Sequence, residues 1–176
     1  MIKSSIKKEK DNYWFAIYTH SRAEKKVFER LINLNFHAYL PLIEVVRQWS
    51  DRKRKVKEPL IKSYLFVKTS KSNLLEIVKV PGVIKILKHL GKPAVVKNIE
   101  IENLKIICNN CSQIKFIQPI DLAKGDEIEV VEGPFTGLCA TYIKNKGKHK
   151  VVVTVESMQS YIEVTLPVNT IKKINK

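Results

Sequence analysis

Glycine, cysteine and long apolar runs are scarce in this sequence, and each scarcity excludes a class of protein. Six glycines leave little material for a phosphate-binding loop, and no phosphate-loop or dinucleotide-binding motif occurs. Three cysteines, an odd number, argue against a disulfide framework. No apolar run approaches the roughly 18 residues of a membrane helix, and no apolar stretch follows the basic start as it does in a secretory signal. We therefore expect a cytoplasmic protein that does not act at a membrane.

Side chains suited to catalysis or metal binding are also sparse. The four histidines are scattered, and none lies in a nucleophile motif. Cys108 and Cys111 have metal-ligand spacing, but a zinc site needs four ligands and no second pair lies nearby. The carboxylates that a nuclease would need for its metal lack a companion base: Glu100 with Glu102, and Asp126 with Glu127 and Glu129. We expect no enzymatic activity, no bound metal and no cofactor.

Positive charge is abundant, and it is unevenly distributed. The net charge is +15. Residues 1–119 contain 24 lysines and arginines against 10 acidic residues, whereas residues 120–176 contain 8 against 7. Such a contrast indicates that the first part meets a polyanion and the second meets another kind of partner. The alternative is that the lysines only maintain solubility.

Periodic patterns predict an α+β first domain over residues 13–108, after a flexible tail over 1–12. Tyr13–Thr19 is apolar on both faces, as expected of a central strand. A capping box at Ser21 to Glu24 predicts a helix with a basic outer face. Strands are expected over 37–48 and 60–68, with the basic segment 49–58 as the tip of a long hairpin. A last helix is expected to begin at Asn98.

The second part reads as a small all-β domain over residues 120–176, after a linker at 109–119. Five short β-prone runs separated by turn formers indicate a small barrel. They cover residues 127–131, 138–144, 149–156, 161–166 and 170–174.

Six fragments, in order and at matching spacing, resemble the NusG family of transcription factors. They are Trp14–Thr19, Glu24–Lys26, Tyr39–Pro41, Glu58–Val67, Val80–Val83 with Gly91–Pro93, and Lys124–Gly137, which is similar to a KOW motif. Ala140, in place of a glycine of the general factors, and Lys146–Val153 are similar to specialised paralogues of the RfaH and UpxY types. The resemblance implies an NGN-like α/β sandwich with an antiparallel sheet, a linker and an SH3-like KOW barrel.

The resemblance also implies a function without catalysis. The first domain would bind the clamp helices of RNA polymerase, suppressing pausing and termination in an operon-specific way, on capsule or exopolysaccharide genes. Carried over by position, the docking residues would be Tyr18, Leu42, Ile61, Tyr64 and Phe66. Simple core packing is the alternative reading of such aromatic residues.

The basic residues would then contact non-template and upstream DNA. The candidates are His20, Arg22, Lys25 and Lys26 at the first helix, and Arg52, Lys53, Arg54 and Lys55 on the hairpin. The near-neutral KOW domain fits a protein partner, such as the ribosome or a termination factor. RfaH can refold this domain into helices, but the β-prone run Val151–Val155 favours strands here. We expect a monomer. The competing reading is a free-standing RNA-binding KOW protein associated with the ribosome.

Overall fold

The computed structural model describes residues 12–49, 52–110, 114–116, 125–145, 148–155, 160–166 and 171–174. The helices are α1 (Glu24–Asn33), α2 (Leu74–Val78) and α3 (Asn98–Asn109). The strands of the first domain are β1 (Tyr13–Thr19), β2 (His37–Tyr39), β3 (Leu42–Gln48), β4 (Lys53–Pro59), β5 (Tyr64–Thr69), β6 (Val83–Ile86), β7 (Lys88–His89), β8 (Lys92–Pro93) and β9 (Val95–Val96). Those after them are β10 (Ile114–Phe116), β11 (Glu127–Val130), β12 (Cys139–Asn145), β13 (Lys148–Val155), β14 (Ser160–Leu166) and β15 (Ile171–Lys173).

β1 is the central strand of an antiparallel sheet in the order β2-β5-β1-β6, with β9 also paired to β1. Its side chains alternate between two buried layers, because both faces of the sheet are covered. Phe15 and Ile17 pack with residues of α1 and α2 on one face. Trp14 and Ala16 pack with residues of α3 on the other. The prediction of a central strand over 13–19 is confirmed.

β3 and β4 form a separate two-stranded hairpin, which we call the arm (Leu42–Pro59). The sequence prediction here was wrong in two respects. The predicted strand over 37–48 is divided into β2 and β3 at Leu40 and Pro41, and β3 pairs with β4 rather than with a strand starting at residue 60. Most of the segment expected to form the tip, 49–58, is therefore strand. Its charged side chains are tolerated because the arm lacks a fully buried face.

The helix starts differ from the predicted caps. Ala23 occupies the N-cap of α1 without a side-chain hydrogen bond, so Ser21 and Glu24 form no capping box there. The buried Glu24 instead accepts a hydrogen bond from the Ser63 backbone N–H at 2.7 Å. At α3, the cap is Lys97 rather than Asn98, and the Glu100 carboxylate accepts the Lys97 N–H at 3.0 Å. Glu24 thus fixes the turn before β5 instead of the helix end.

The later strands form an antiparallel sheet in the order β10-β14-β13-β12-β11-β15. β11 to β15 match the five predicted runs within about two residues, a typical uncertainty for element ends. The strand prediction for Val151–Val155 is confirmed by β13. β10 lies inside the segment predicted as a linker and pairs with β14. The α+β class with an all-β second domain is confirmed.

α3 joins the two parts of the chain. Leu104 and Ile107 of α3 share one buried cluster with Phe66 of the first sheet, with Ile128 of the second, and with Leu138 just before β12. Polar contacts accompany this cluster, and the Asn110 carboxamide at the end of α3 donates to the Pro134 carbonyl. The carboxamide of Asn103 donates to the Cys139 carbonyl at 2.8 Å and accepts the Cys139 N–H at 3.2 Å.

Candidate docking and nucleic-acid interface

Tyr18 and Tyr64 lie opposite each other at one end of β1 and β5. Their ring centroids are 5.0 Å apart with the ring planes tilted by 54°, and both side chains are only half-buried. The Lys85 ammonium lies 5.7 Å from the Tyr18 ring centroid, within the range of a cation–π contact. Two aromatic rings and a cation thus form a partly open patch at one end of the inner strands, which we call the tyrosine patch (Tyr18, Tyr64 and Lys85).

The other predicted docking residues are less accessible. Phe66 is fully buried and Ile61 is 7% exposed, both in the cluster against which Tyr64 packs. Leu42 packs against the opposite cluster, beside α1 and α2. The structure therefore brings Tyr64, Ile61 and Phe66 together and places Leu42 elsewhere. Phe66 has the core role that the alternative reading assigned to it.

Two residues near this surface were missed by the sequence reasoning. Lys85 was given no role, and Tyr39 entered only within the fragment Tyr39–Pro41. The Tyr39 ring stacks on Phe66 with centroids 6.4 Å apart. Burial raises the pKa of Tyr39 strongly, and the neighbouring Cys108 raises it further. Burial and the adjacent Tyr18 also raise the pKa of Tyr64, so both phenols stay neutral at physiological pH.

A basic cleft of about 530 Å³ lies between the start of α1 and the base of the arm. Its cationic lining comes from both elements: Arg22, Lys25, Arg47, Lys57 and Lys62. The Lys25 ammonium donates to the Lys57 carbonyl at 2.6 Å, which joins α1 to β4. His20 and Lys26 are exposed but lie outside the lining. Of the predicted DNA-contacting residues, only Arg22 and Lys25 line this cleft. The arm contributes Arg47 and Lys57 to it, and sequence reasoning had named neither.

The start of α1 is positioned by the turn that contains Gly82. Gly82 has φ +96°, and a Cβ at this position would lie 2.7 Å from Val27 Cγ2 of α1. Its carbonyl accepts the His20 backbone N–H at 3.0 Å. Arg22 itself has φ 63°, in the left-handed region that few residues other than glycine adopt. This close packing fixes the positions of His20 and Arg22 relative to the sheet.

Along the arm, Arg52, Lys53, Arg54 and Lys55 are all exposed. Two ion pairs are formed nearer its base or middle. Arg47 binds Glu58 through two hydrogen bonds of 2.8 Å, and Lys55 binds Glu44 at 2.9 Å. The Arg47 guanidinium, through its hydrogen bonds, lowers the pKa of Glu58.

A metal centre finds no support among the described residues, where no cluster of three or more potential ligands occurs. Cys108 lies near the end of α3 and forms no disulfide with another described residue, and Cys111 lies outside the described residues. Within the same part of the chain, none of the helices has the length and apolar character needed to span a bilayer.

Comparisons with known proteins give a consistent result. The family described as "Transcription termination factor nusG" matches residues 12–105. The transcription termination/antitermination protein NusG of Helicobacter pylori is 28% identical over 166 residues, which cover 86% of this chain and 93% of that protein. The transcription elongation factor Spt5 of Acidianus ambivalens is 38% identical over 56 residues, 31% of this chain and 37% of that protein. A solved structure described as "Domain interaction in Thermotoga maritima NusG" matches with a TM-score of 0.50 and 21% identity, covering 93% and 98% of the two chains.

The fold and these relatives define a class, that of non-enzymatic transcription factors. More particularly, the chain belongs to the NusG family of termination and antitermination factors. The resemblance drawn from the sequence is thereby confirmed at the family level.

Proposed function

We propose that this protein binds the clamp helices of RNA polymerase through the tyrosine patch and holds the enzyme in a pause-resistant, termination-resistant state. The observation that carries the proposal is the half-buried Tyr18–Tyr64 pair, in which Tyr64 packs against the apolar cluster on one face of the sheet. Aromatic side chains of this kind dominate protein interfaces, because they bury a large area at little cost in conformational entropy. Such an action takes place where transcription does, in the cytoplasm.

The basic cleft and the arm supply the proposed contacts with DNA. Arg22 and Lys25, with His20 and Lys26 beside them, are suited to the exposed non-template strand, and the arm cations to upstream duplex phosphates. Phosphate contacts provide affinity and register, while contacts with base edges provide sequence selectivity. His20 and Arg22 are the proposed base-reading residues, because both are exposed and Arg22 borders the cleft.

The operon-specific role and the partner of the second domain are also proposals. Ala140 and the stretch 146–153 resemble specialised paralogues. Ala140 is half-buried and packs against the cluster shared with α3. The second part of the chain is nearly neutral, which suits a protein partner, such as the ribosome or a termination factor, better than nucleic acid.

Capture of purified RNA polymerase by the immobilised full-length protein tests the docking. Tyr18→Ala and Tyr64→Ala are each expected to weaken capture by about 30-fold, since a buried interface aromatic contributes on the order of 2 kcal/mol. Phe66→Ala is uninformative here, because removing a fully buried phenylalanine costs about 3–5 kcal/mol of folding stability.

Tyr13→Ala is the matched control. Tyr13 is 40% exposed at the opposite end of β1, so its loss should leave capture unchanged. Equal capture by the wild type and the Tyr18 and Tyr64 variants would remove the docking assignment. Read-through of terminators on capsule-gene and unrelated templates, measured with the same proteins, tests the operon restriction. Equal read-through on both would refute it.

A further inference from the structure

The far end of the arm carries an exposed tryptophan to which neither the family nor the proposed DNA contacts give a role. Trp49 follows the last residue of β3, and its side chain is 50% exposed. Its backbone N–H donates to the Arg52 carbonyl at 2.8 Å, so the antiparallel pairing continues one step beyond Gln48 and Lys53. A large indole at the end of a solvent-exposed hairpin gains little from folding, because much of its apolar surface remains in water.

The register of the arm places arginines around this indole. Residues directly opposite each other in an antiparallel pair share a face, and so do residues two positions apart. Trp49 lies opposite Arg52, and the next pair on the same face is Arg47 with Arg54. The other face carries Val46 opposite Lys55 and Gln48 opposite Lys53. One face of the arm thus combines an indole with guanidinium groups, and the other has ammonium groups beside an exposed valine.

Charge distinguishes the end of the arm from its base. Residues 42–59 contain six basic and three acidic residues. Glu44 and Glu58, in the half nearer the sheet, pair with Lys55 and Arg47. Arg47 is held by Glu58 through two hydrogen bonds, and because Glu58 lies opposite Ile43 these bonds draw the Arg47 guanidinium toward the base of the arm, away from Trp49. The excess positive charge near Trp49 favours a polyanion over an apolar protein surface.

We propose that this face, formed by Trp49 with Arg52 and Arg54, binds an unpaired segment of nucleic acid. The indole stacks on one base, and the guanidinium groups bind the adjacent phosphates. An unpaired base offers its π face to an aromatic ring, whereas the stacked bases within a closed duplex do not. This contact rests on the nucleic-acid half of the proposed function and refines it, because Arg52 and Arg54 then bind phosphates of an unpaired segment rather than of the upstream duplex. DNA and RNA both present this chemistry.

The chain contains its own reporter for the test. It has two tryptophans; Trp14 is 5% exposed in the core, and Trp49 is half exposed. Titration of the full-length protein with a 15-nucleotide single-stranded DNA is therefore expected to quench the emission of Trp49. Single-stranded RNA and a blunt duplex of the same length are titrated in parallel. The single strand that binds more tightly, DNA or RNA, identifies the natural ligand.

Affinities of the variants are measured by the anisotropy of a labelled oligonucleotide. Trp49→Ala is expected to weaken single-strand binding by roughly 5- to 150-fold, the range for loss of one stacked base. Trp49→Phe is expected to retain most of the affinity. Val46→Ala removes an exposed apolar side chain from the opposite face, where Val46 is 61% exposed, and should have no effect.

A second pair of variants distinguishes binding by this face from general electrostatic attraction to the arm. Arg54→Gln and Lys53→Gln each remove one charge from neighbouring positions on opposite faces. Arg54→Gln is expected to be the more harmful for the single strand. Unchanged single-strand affinity in Trp49→Ala, equal affinity for the duplex, or equal effects of the two charge variants would overturn the proposal. The Tyr18 and Tyr64 alanine variants should bind the oligonucleotide normally, so a failure of polymerase docking remains distinguishable.

Discussion

The contact between Asn103 of α3 and Cys139 of β12 gives a prediction whose magnitude follows from the geometry. The pairing of β12 with β13 starts at Thr141 and Val152. Two residues earlier, the Asn103 carboxamide binds both backbone groups of Cys139, at 2.8 and 3.2 Å. The side chain therefore takes the place of a neighbouring strand. Asn103 is 4% exposed, whereas Cys139 is half-buried, so water can replace part of what is lost.

Asn103→Ala should consequently cost about 1–3 kcal/mol. Each hydrogen bond contributes about 0.5–1.5 kcal/mol net, and the half-buried Cys139 amide would lose its partner. Because these hydrogen bonds join α3 to the second sheet, their loss weakens the contact between the first and second parts of the chain. The two parts should therefore tumble more independently. Rotational correlation times from ¹⁵N relaxation, together with urea unfolding, measure both effects. Asn109→Ala, at an exposed position on the same helix, is the control. Correlation times and unfolding midpoints equal to those of the wild type would refute the role assigned to Asn103.

Two further predictions concern single residues. Gly125→Ala places a Cβ 1.8 Å from the Tyr142 carbonyl oxygen, so the second, all-β domain should lose about 2 kcal/mol or more of its free energy of unfolding. An unaltered midpoint of urea unfolding would contradict this steric reasoning. The Arg47 hydrogen bonds lower the pKa of Glu58. The Arg47–Glu58 ion pair therefore stabilises the arm at pH values above the ordinary glutamate pKa, and this stabilisation is lost as the pH falls through the lowered pKa of Glu58. A ¹³C carboxyl titration should show a lower pKa for Glu58 in the wild type than in Arg47→Gln, and identical curves would exclude the pairing in solution.

The sequence predicted the elements that have buried faces. β1 was placed to the residue because apolar side chains on both of its faces leave a single consistent register. The runs around Val151–Val155 were found for a related reason, since β-branched residues fit a pleated, buried surface.

The arm was misassigned because the same signal is absent from it. β4 has no buried residue before Leu60, and its charged sequence resembles a loop. Register in such a strand is set by the partner strand and the turn, neither of which is visible in a hydrophobic pattern. The burial of Phe66 was equally out of reach, because the cluster that contains it includes residues of α3, which are distant in sequence.

The sequence predicted which residues belong to the candidate site, but it predicted less well which of their side chains lie together. The side chains at positions 18 and 64 lie together because β1 and β5 pair in one register. That of Leu42 does not join them, because β3 leaves the main sheet to form the arm. Arg22 and Lys25 share a cleft with Lys57, and the Lys25 ammonium joins α1 to β4 by donating to the Lys57 carbonyl.

The turn at Gly82 belongs to the residues by which the family is recognised, whereas the side chains proposed to select a target sequence lie outside it. Its glycine is required by Val27, which leaves no space for a Cβ, and its carbonyl anchors His20 in the turn before α1. A relative that shares Val80–Val83 can therefore be expected to start this helix at the same point. The side chains at positions 20 and 22, which we propose as base-reading residues, are held in place by this turn but are not determined by it.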